Sequence, residues 1–510
     1  MIQRRQLLFG ALLASQLPSA FAASASLSDD ERALHALNRF GFGPRPADAQ
    51  AIASMGARAW LDQFLAQQLN PQSLALPPVL ADRLQAMDTL SLDQGQLYAR
   101  FREAQKLNRE AKASGKKDEE KARRELVRPV VQQAGAQRLL RAVASPAQLQ
   151  EVLVDFWFNH FNVFAGKGPV SVWVGSYERE AIRPFVLGNF RDMLGATAKH
   201  PAMLFYLDNA QSVAPGYQPQ QRGRRFAALQ DKAKRASGLN ENYAREVMEL
   251  HTLGVDGGYT QQDVTQLARM LTGWTFDPRA SSGVMFRFDA DRHDHGRKIW
   301  LGRNVASAGQ SEGEMALDVL ATHPSTAKHL AFQFAQAFVA DDPPPALVKR
   351  LADRFIASQG NLRELTKCLI ESDEFWSREA YQAKFKTPYQ YLLSSLRAVN
   401  TVDGLPPDTQ LLVGSLAQAG MPLFGAQTPD GYKNTAAAWM NPEALAQRIQ
   451  FAQTLSDRIQ RRPAMAAQAS GDLLTTLGPM VSRDTRASVA GEPAPQQLAL
   501  LLGSPDFMRR

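Results

Sequence analysis

The chain has 510 residues, of which 45% are hydrophobic and 21% charged, and it carries a net charge of +8. This balance predicts a folded protein with a sizeable core and excludes an intrinsically disordered chain. The positive charge is compatible with an anionic partner. In the most charged stretch, however, acidic residues are interleaved with basic ones, so we do not expect nucleic-acid binding.

The cysteine count limits the covalent chemistry. Cys368 is the single cysteine of the sequence, which excludes an intramolecular disulfide, a c-type haem attachment site and an iron–sulfur cluster held by cysteines. The glycine-rich spacings of nucleotide-binding loops and the GxSxG signature of serine hydrolases are also absent. A divalent metal ion held by His, Asp or Glu remains open as a cofactor.

The first 22 residues have the pattern of an export signal. Arg4 and Arg5 precede an apolar run, and Ala20-Phe21-Ala22 forms a small-x-small cleavage site. The paired arginines resemble a twin-arginine signal, although an ordinary secretory signal also fits. No later apolar run is long enough to span a bilayer. We therefore expect a periplasmic or secreted mature protein without a transmembrane span.

Helical periodicity over most of the chain predicts a mainly α, multi-helix body with a small β-hairpin insertion near 285–302. We divide the chain after the signal into three regions. The first is an N-terminal helical region with a charged arm, the second a helical core with a motif region, and the third a C-terminal linker and helix. The N-terminal region spans 23–145, and its charged arm spans 102–125. The helical core spans 146–461, and its motif region spans 240–302. The C-terminal linker and helix span 462–510.

The stretch at 240–274 predicts two helices joined by a glycine-rich turn. On the first helix Glu246 lies at the edge of an apolar stripe, with Asn242 one turn away as a candidate substrate-binding residue. A half-buried carboxylate fits a structural hydrogen bond and a catalytic or metal role equally well. His251 lies roughly 140° round the helix from Glu246, so the two cannot chelate one ion.

A second candidate is the aromatic helix at 149–164. Glu151, Asp155, Asn159 and Asn162 form a polar stripe, which on so aromatic a helix is not expected to be fully exposed. His160 lies on the apolar side. It is either a hydrogen-bonded core histidine or, like Asp155, a catalytic residue on a cavity wall.

The segment at 211–239 is rich in proline, glycine and basic residues. Arg222, Arg224 and Arg225 make it a candidate lid over an acidic substrate. A solvated linker explains the same composition.

The predicted hairpin near 285–302 pairs residues 285–288 with 298–301 through a turn rich in oxygen and nitrogen ligands. Asp291, His293 and Asp294 in this turn are candidate metal ligands. Asp and Gly also supply ordinary turn geometry, and the spacing matches no known metal motif.

Several motifs together carry a resemblance to a family. The chain resembles the bacterial family called domain of unknown function 1800, through the segments FWFNHFNVF, YEREAIRPFVLGNFRDML, KHPAMLFYLDN, NENYAREVMELHTLGVDGGYTQQDV, ARMLTGW, RHDHGRKIWLG and TPDGY. The resemblance implies an exported and mainly helical protein, and it names no reaction. It also implies a partner, an exported protein of the family domain of unknown function 1501, which has a sulfatase-like fold.

Three functions follow as hypotheses. The first is a hydrolase or other carboxylate- or metal-assisted enzyme with an internal polar cavity, for which Glu246, His160 and His293 should cluster in one cleft. The second is a binding or assembly protein that acts with an exported partner and shows a flat apolar patch. The third is a redox protein with a non-covalent cofactor, and the export signal alone supports it.

Overall fold

The computed structural model describes residues 26–114, 117–218, 238–399, 408–461 and 469–510. The predicted signal at 1–22 lies outside these residues, as do Arg222, Arg224 and Arg225 of the predicted lid or linker.

Helices make up most of the first half. In chain order they are α1 (Asp29–Arg39), α2 (Pro46–Met55), α3 (Ala57–Gln68), α4 (Pro78–Gln85), α5 (Gln94–Ser114), α6 (Lys117–Ala144), α7 (Gln148–His160), α8 (Val170–Tyr177), α9 (Phe190–Lys199), α10 (Pro201–Tyr206), α11 (Asn242–Glu249) and α12 (Gln261–Met270).

The second half is built in the same way. Its helices are α13 (Gln310–Thr322), α14 (Pro324–Phe338), α15 (Pro345–Ala357), α16 (Leu362–Ile370), α17 (Pro388–Ala398), α18 (Thr409–Gln418), α19 (Ala436–Trp439), α20 (Pro442–Gln460), α21 (Ala469–Leu477), α22 (Arg483–Ala490) and α23 (Ala494–Leu502). Across the described ranges, no helix has both the length and the apolar character needed to cross a membrane.

Four short strands separate the two halves, which confirms the prediction of a mainly α fold with a small β insertion. The predicted pairing within that insertion is wrong. Strand β2 (Phe286–Phe288) pairs antiparallel with β1 (Trp274–Phe276), and β3 (Lys298–Trp300) pairs with β4 (Arg303–Val305). The residues between β2 and β3 therefore connect two small sheets and do not form the turn of one hairpin.

The stretch at 240–274 forms the two predicted helices, α11 and α12. The side chain of Thr260 accepts a hydrogen bond from the backbone N–H of Asp263, and the Asp263 carboxylate accepts one from the backbone N–H of Thr260, so the two residues form a capping box at the start of α12. Gly254, in the connection between the helices, has φ +82°, the left-handed conformation that glycine adopts without strain.

One large cluster of buried apolar side chains extends along the chain from Ala33 to Met508. The three predicted regions after the signal therefore contribute to a common core. The described part of the charged arm belongs to α5 and α6, two long helices that pack against each other. The region predicted as a C-terminal linker and helix, 462–510, contains the three helices α21, α22 and α23 within its described part.

Candidate functional site

The polar stripe of α7 leads to a small cavity. Asp155 and Asn159 of α7, with Asn162 just beyond it, line a cavity of about 80 Å³. A space of that size accommodates a small polar group and water. Glu151, at the start of the stripe, points elsewhere and forms a buried ion pair with Arg183 at 2.8 Å.

The remaining walls of the cavity come from distant parts of the chain. Arg138 reaches it from α6, Tyr389 from α17, and Arg510 from the C-terminal end. Lys433 and Asn434 enter from the loop that precedes α19. Arg138, Tyr389 and Arg510 are nearly inaccessible to solvent.

Asp155 is the central charged group of this cavity. Its Oδ1 accepts a hydrogen bond from Arg138 Nη2 at 2.7 Å, and its side chain keeps 20% of its surface exposed. Burial raises the pKa of Asp155, although the positive charges of Arg138 and Arg510 act in the opposite direction. The result is a carboxyl group that accepts a proton more readily than an ordinary aspartate.

Behind Asp155 the ion pairs continue into the core. Arg138 Nη1 lies 3.5 Å from Glu178 Oε2, and Arg183 Nη2 lies 2.8 Å from Glu178 Oε1. Tyr389 and the acidic neighbours Asp155 and Glu178 keep the pKa of Arg138 above its usual value despite burial. The arginine therefore stays charged and fixes the position of the Asp155 carboxylate.

The loop at 426–434 is held against α7 by two asparagine side chains. Asn162 Nδ2 donates to the carbonyl oxygens of Ala426 and Thr428, at 3.0 and 2.8 Å. Asn159 Oδ1 accepts from the backbone N–H of Tyr432 at 2.7 Å, and Asn159 Nδ2 donates to the Tyr432 carbonyl oxygen. These amides therefore fix the cavity wall, which leaves Asp155 as the reactive member of the stripe.

Several polar atoms of the cavity-lining residues have no hydrogen-bond partner in the described part of the protein. They are Arg138 Nε, Arg510 Nε and Asn434 Oδ1. Buried polar groups are normally paired, and an unpaired one costs about 1–3 kcal/mol. Donors and an acceptor left unpaired around one cavity are typical of a site that binds a small polar molecule.

His160 occupies a different environment from Asp155. Its Nδ1 lies 2.8 Å from Gln333 Oε1, and its Nε2 lies 3.1 Å from the carbonyl oxygen of His251. Burial lowers the pKa of His160 to about 4, with a further contribution from His329. Of the two roles considered for His160, these contacts favour a hydrogen-bonded core histidine over a catalytic residue. The ring does not line the cavity around Asp155.

Glu246 is partly buried, as its helical position predicts, and it does not line the cavity either. Burial raises its pKa, and the nearby carboxylates of Glu249 and Asp430 add to this effect. Asn242 is exposed at the start of α11, where its backbone N–H donates to Asn240 Oδ1 at 2.9 Å. Its side chain is thus on the surface of this helix.

The three predicted metal ligands are not brought together. His293 Nε2 lies 3.1 Å from Glu312 Oε1, and its Nδ1 lies 2.9 Å from the Thr272 carbonyl oxygen. Asp294 forms two hydrogen bonds with the Arg269 guanidinium, at 2.7 and 3.1 Å. Asp291 is exposed. Within the described ranges, no three His, Cys, Asp or Glu side chains are grouped so as to hold a metal ion.

Glu246, His160 and His293, which the enzyme hypothesis places in one cleft, do not line the cavity around Asp155. His160 Nε2 contacts the carbonyl oxygen of His251, and the His251 N–H donates to the carbonyl oxygen of Glu246 at 3.0 Å. His293 contacts Thr272 and Glu312 instead. Sequence reasoning identified Asp155 and the asparagines of the stripe but missed Arg138, Tyr389 and Arg510. No periodic signal marks those three, because each reaches the cavity from a separate element.

The comparison with known families agrees with the motifs. The family described as "Protein of unknown function (DUF1800)" matches residues 35–509. The chain belongs to this family. No curated protein and no solved structure matches the chain. The DUF1800 match includes Arg138, Asp155 and Tyr389 and ends one residue before Arg510.

Proposed function

We propose that this DUF1800 protein is an exported hydrolase whose reaction uses Asp155 as a general acid–base group. The observation that supports the proposal most directly is the placement of this carboxyl group. It has a raised pKa and lies in a cavity beside two buried arginines, Arg138 and Arg510, each of which has an Nε without a hydrogen-bond partner among the described residues. A general base is most effective when its pKa lies near the working pH.

The proposed chemistry uses only groups of this cavity. The Asp155 carboxylate accepts a proton from a water molecule, and the water oxygen attacks the electrophilic atom of the substrate. Arg138 and Arg510 stabilise the negative charge that develops on the substrate oxygen. The protonated Asp155 then returns the proton to the leaving group as its bond to the substrate breaks, so the carboxylate is regenerated.

The cavity also indicates the part of a substrate that it accepts. Its volume of about 80 Å³ holds a small polar group, and its charged lining residues are Arg138, Arg510 and Lys433 against Asp155. The reacting end of the substrate is therefore compact and carries or develops negative charge, while the rest of the substrate stays outside the cavity.

The test is a hydrolysis screen with the mature protein, in which p-nitrophenyl esters, phosphates, sulfates and glycosides serve as probes. Asp155→Asn should lower kcat by on the order of 100-fold or more. It should also remove the acidic limb of the pH–rate profile, which in the parent should lie above the usual aspartate pKa of about 3.9.

Asp353→Asn is the matched control, because it makes the same chemical change at an exposed acid that pairs with Lys349. This variant should keep the parent rate and pH profile. If Asp155→Asn behaves like the parent, or if no probe is hydrolysed, the binding or assembly role gains support over catalysis at this cavity.

A further inference from the structure

A second cavity lies among three helices of the second half. Helices α17, α18 and α20 enclose a groove of about 410 Å³. Protein interiors are normally packed without voids of this size, and ligand sites of small molecules start at about 300 Å³. The groove shares no lining residue with the cavity around Asp155. It is therefore a separate site.

The walls of the groove are apolar because each helix presents a ridge with a spacing of four residues. These ridges consist of Leu392 and Leu396 of α17, Leu412 and Leu416 of α18, and Phe451, Leu455 and Ile459 of α20. Residues four apart lie on the same side of a helix, so each ridge is continuous. A groove with three such walls suits an elongated apolar chain.

One end of the groove is positively charged. Arg458 and Arg461 line it at the C-terminal end of α20, and both are exposed. Neither forms an ion pair with another residue of the described ranges. Asp408 is the acidic side chain among the described lining residues, and its Oδ1 accepts from the backbone N–H groups of Gln410 and Leu411. The exposed charged groups of the lining are thus two guanidinium groups and one carboxylate, which caps α18.

The other end of the groove is lined by Arg448, whose Nε and Nη1 have no hydrogen-bond partner among the described residues. Its Nη2 donates to the Lys386 carbonyl oxygen at 2.7 Å, and its Cζ lies 4.4 Å from the centre of the Phe385 ring. Arg448 is nearly fully buried. Burying a charged head group is costly, so we expect it at the exposed Arg458 and Arg461. The apolar tail then runs along the groove towards Arg448, whose guanidinium lies over the Phe385 and Tyr391 rings.

We propose that this groove binds an anionic amphiphile with a single long acyl chain, that is, a long-chain fatty acid or a lipid that presents the same chemistry. The carboxylate pairs with Arg458 and Arg461, and the acyl chain lies along the leucine ridges. Along α20, the distance from Arg448 to Arg461 is roughly 20 Å at 1.5 Å per residue, which matches an extended acyl chain.

The binding test uses 11-(dansylamino)undecanoic acid as a fluorescent probe with the intact mature protein. Palmitate should displace the probe at micromolar concentration, and hexadecanol should displace it at least 10-fold less well because it lacks the carboxylate. Equal displacement by the acid and the alcohol would show that the arginines do not select an anion and would overturn the proposal.

Two variants test the two parts of the groove. Ser415→Trp places a large side chain against the apolar walls and should weaken binding of palmitate and hexadecanol together. Arg458→Glu combined with Arg461→Glu changes exposed residues only, and it should weaken palmitate binding at least 10-fold while leaving hexadecanol binding unchanged. The matched control is Lys106→Glu with Lys349→Glu, two exposed lysines remote from the groove in sequence, which should bind palmitate like the parent.

A vesicle experiment separates the two sources of the ligand. Sedimentation with phosphatidylglycerol vesicles, compared with phosphatidylcholine vesicles, measures attachment to a bilayer. Binding of free palmitate that depends on Arg458 and Arg461 supports the groove as a site for the free acid. If the protein also extracts lysophosphatidylglycerol, an anionic lipid with one acyl chain, when that lipid is included in the vesicles, a lipid is a second source of the same chemistry. Sedimentation with vesicles in the absence of palmitate binding would overturn the proposal.

Discussion

Lys298 Nζ lies 2.7 Å from Glu312 Oε2, and the two side chains are 1% and 0% exposed. The other oxygen of Glu312 lies 3.1 Å from His293 Nε2 and accepts from the backbone N–H of Ala308 at 3.0 Å. This carboxylate connects strand β3, helix α13 and the segment that carries His293. His293, one of the predicted metal ligands, is therefore part of a buried ionic network that joins the β insertion to the helices.

Glu312→Gln should destabilise the protein strongly. The change leaves the Lys298 ammonium buried without its counter-charge, and removing one partner of a buried ion pair costs about 3–5 kcal/mol. Urea unfolding at pH 7 measures the loss. Asp353→Asn, in an exposed pair with Lys349, should change the free energy of unfolding by less than about 0.5 kcal/mol. Similar values for both variants would argue against the network.

The stability should fall in acid between about pH 4.5 and pH 2. Burial alone would raise the pKa of Glu312, but hydrogen bonds from His293 and Lys298 lower it to about 2. Arg378 lowers the pKa of Glu31 to about 2 as well. Carboxylates with a lowered folded-state pKa stabilise the fold above their unfolded-state pKa of about 4.3, and this contribution is lost as the pH falls towards 2.

Urea titrations at pH 5, 4, 3 and 2.5 measure this dependence. Glu31→Gln should reduce the slope of unfolding free energy against pH in this window, because the variant no longer binds a proton at that position. An unchanged slope would show that the Glu31–Arg378 pair does not influence acid stability.

Glu246→Gln should stabilise the protein slightly at neutral pH. Its folded-state pKa is raised by burial and by Glu249 and Asp430, so the ionised form disfavours folding above the unfolded-state pKa. Removing one of several close like charges should raise the free energy of unfolding by about 0.3 kcal/mol. The gain should disappear below about pH 4, where the carboxyl group is protonated in both states.

Thermal unfolding at pH 7 and at pH 3.5 measures this effect. Glu364→Gln is the control, since Glu364 pairs with Arg354 at 3.6 Å on the surface, and its change should lower stability by a few tenths of a kcal/mol. A loss of stability in Glu246→Gln at pH 7 would instead indicate a structural hydrogen bond at this position.

Gly431→Ala should disturb the wall of the cavity around Asp155. Gly431 has φ +66°, and an added Cβ would lie 2.5 Å from the Asn159 carbonyl oxygen. Gly302 has φ +73° with open space around it. Gly302→Ala therefore measures the backbone strain alone, about 1–2 kcal/mol. The free energy of unfolding should fall further in Gly431→Ala, and hydrolysis should fall with it.

Export should depend on the paired arginines at the N-terminus. Replacing Arg4 and Arg5 by lysine removes the twin-arginine signal and keeps the positive charge, so the precursor should accumulate in the cytoplasm. Cell fractionation with an antibody measures the distribution. Undiminished export of the double variant would instead favour an ordinary secretory signal.

Local signals in the sequence determined the helical character of the chain and several of its caps. Thr260 and Asp263 form their capping box over three residues, and Asn441 caps α20 in the same way, through a hydrogen bond from the N–H of Ala444. The period of the polar stripe on α7 indicated a partly buried helix face. Family membership was also readable, because the motifs are contiguous.

The tertiary structure decided which residues meet. His160 contacts Gln333 across 173 positions and is thereby fixed in the core. Strand β2 pairs with the preceding β1 and not with β3, since a three-residue strand carries too little local pattern to select its partner. Arg510, at the C-terminal end of the sequence, also lines the cavity around Asp155. Periodicity fixes the face on which a side chain lies, whereas the neighbour of that face is set by the packing of the whole core.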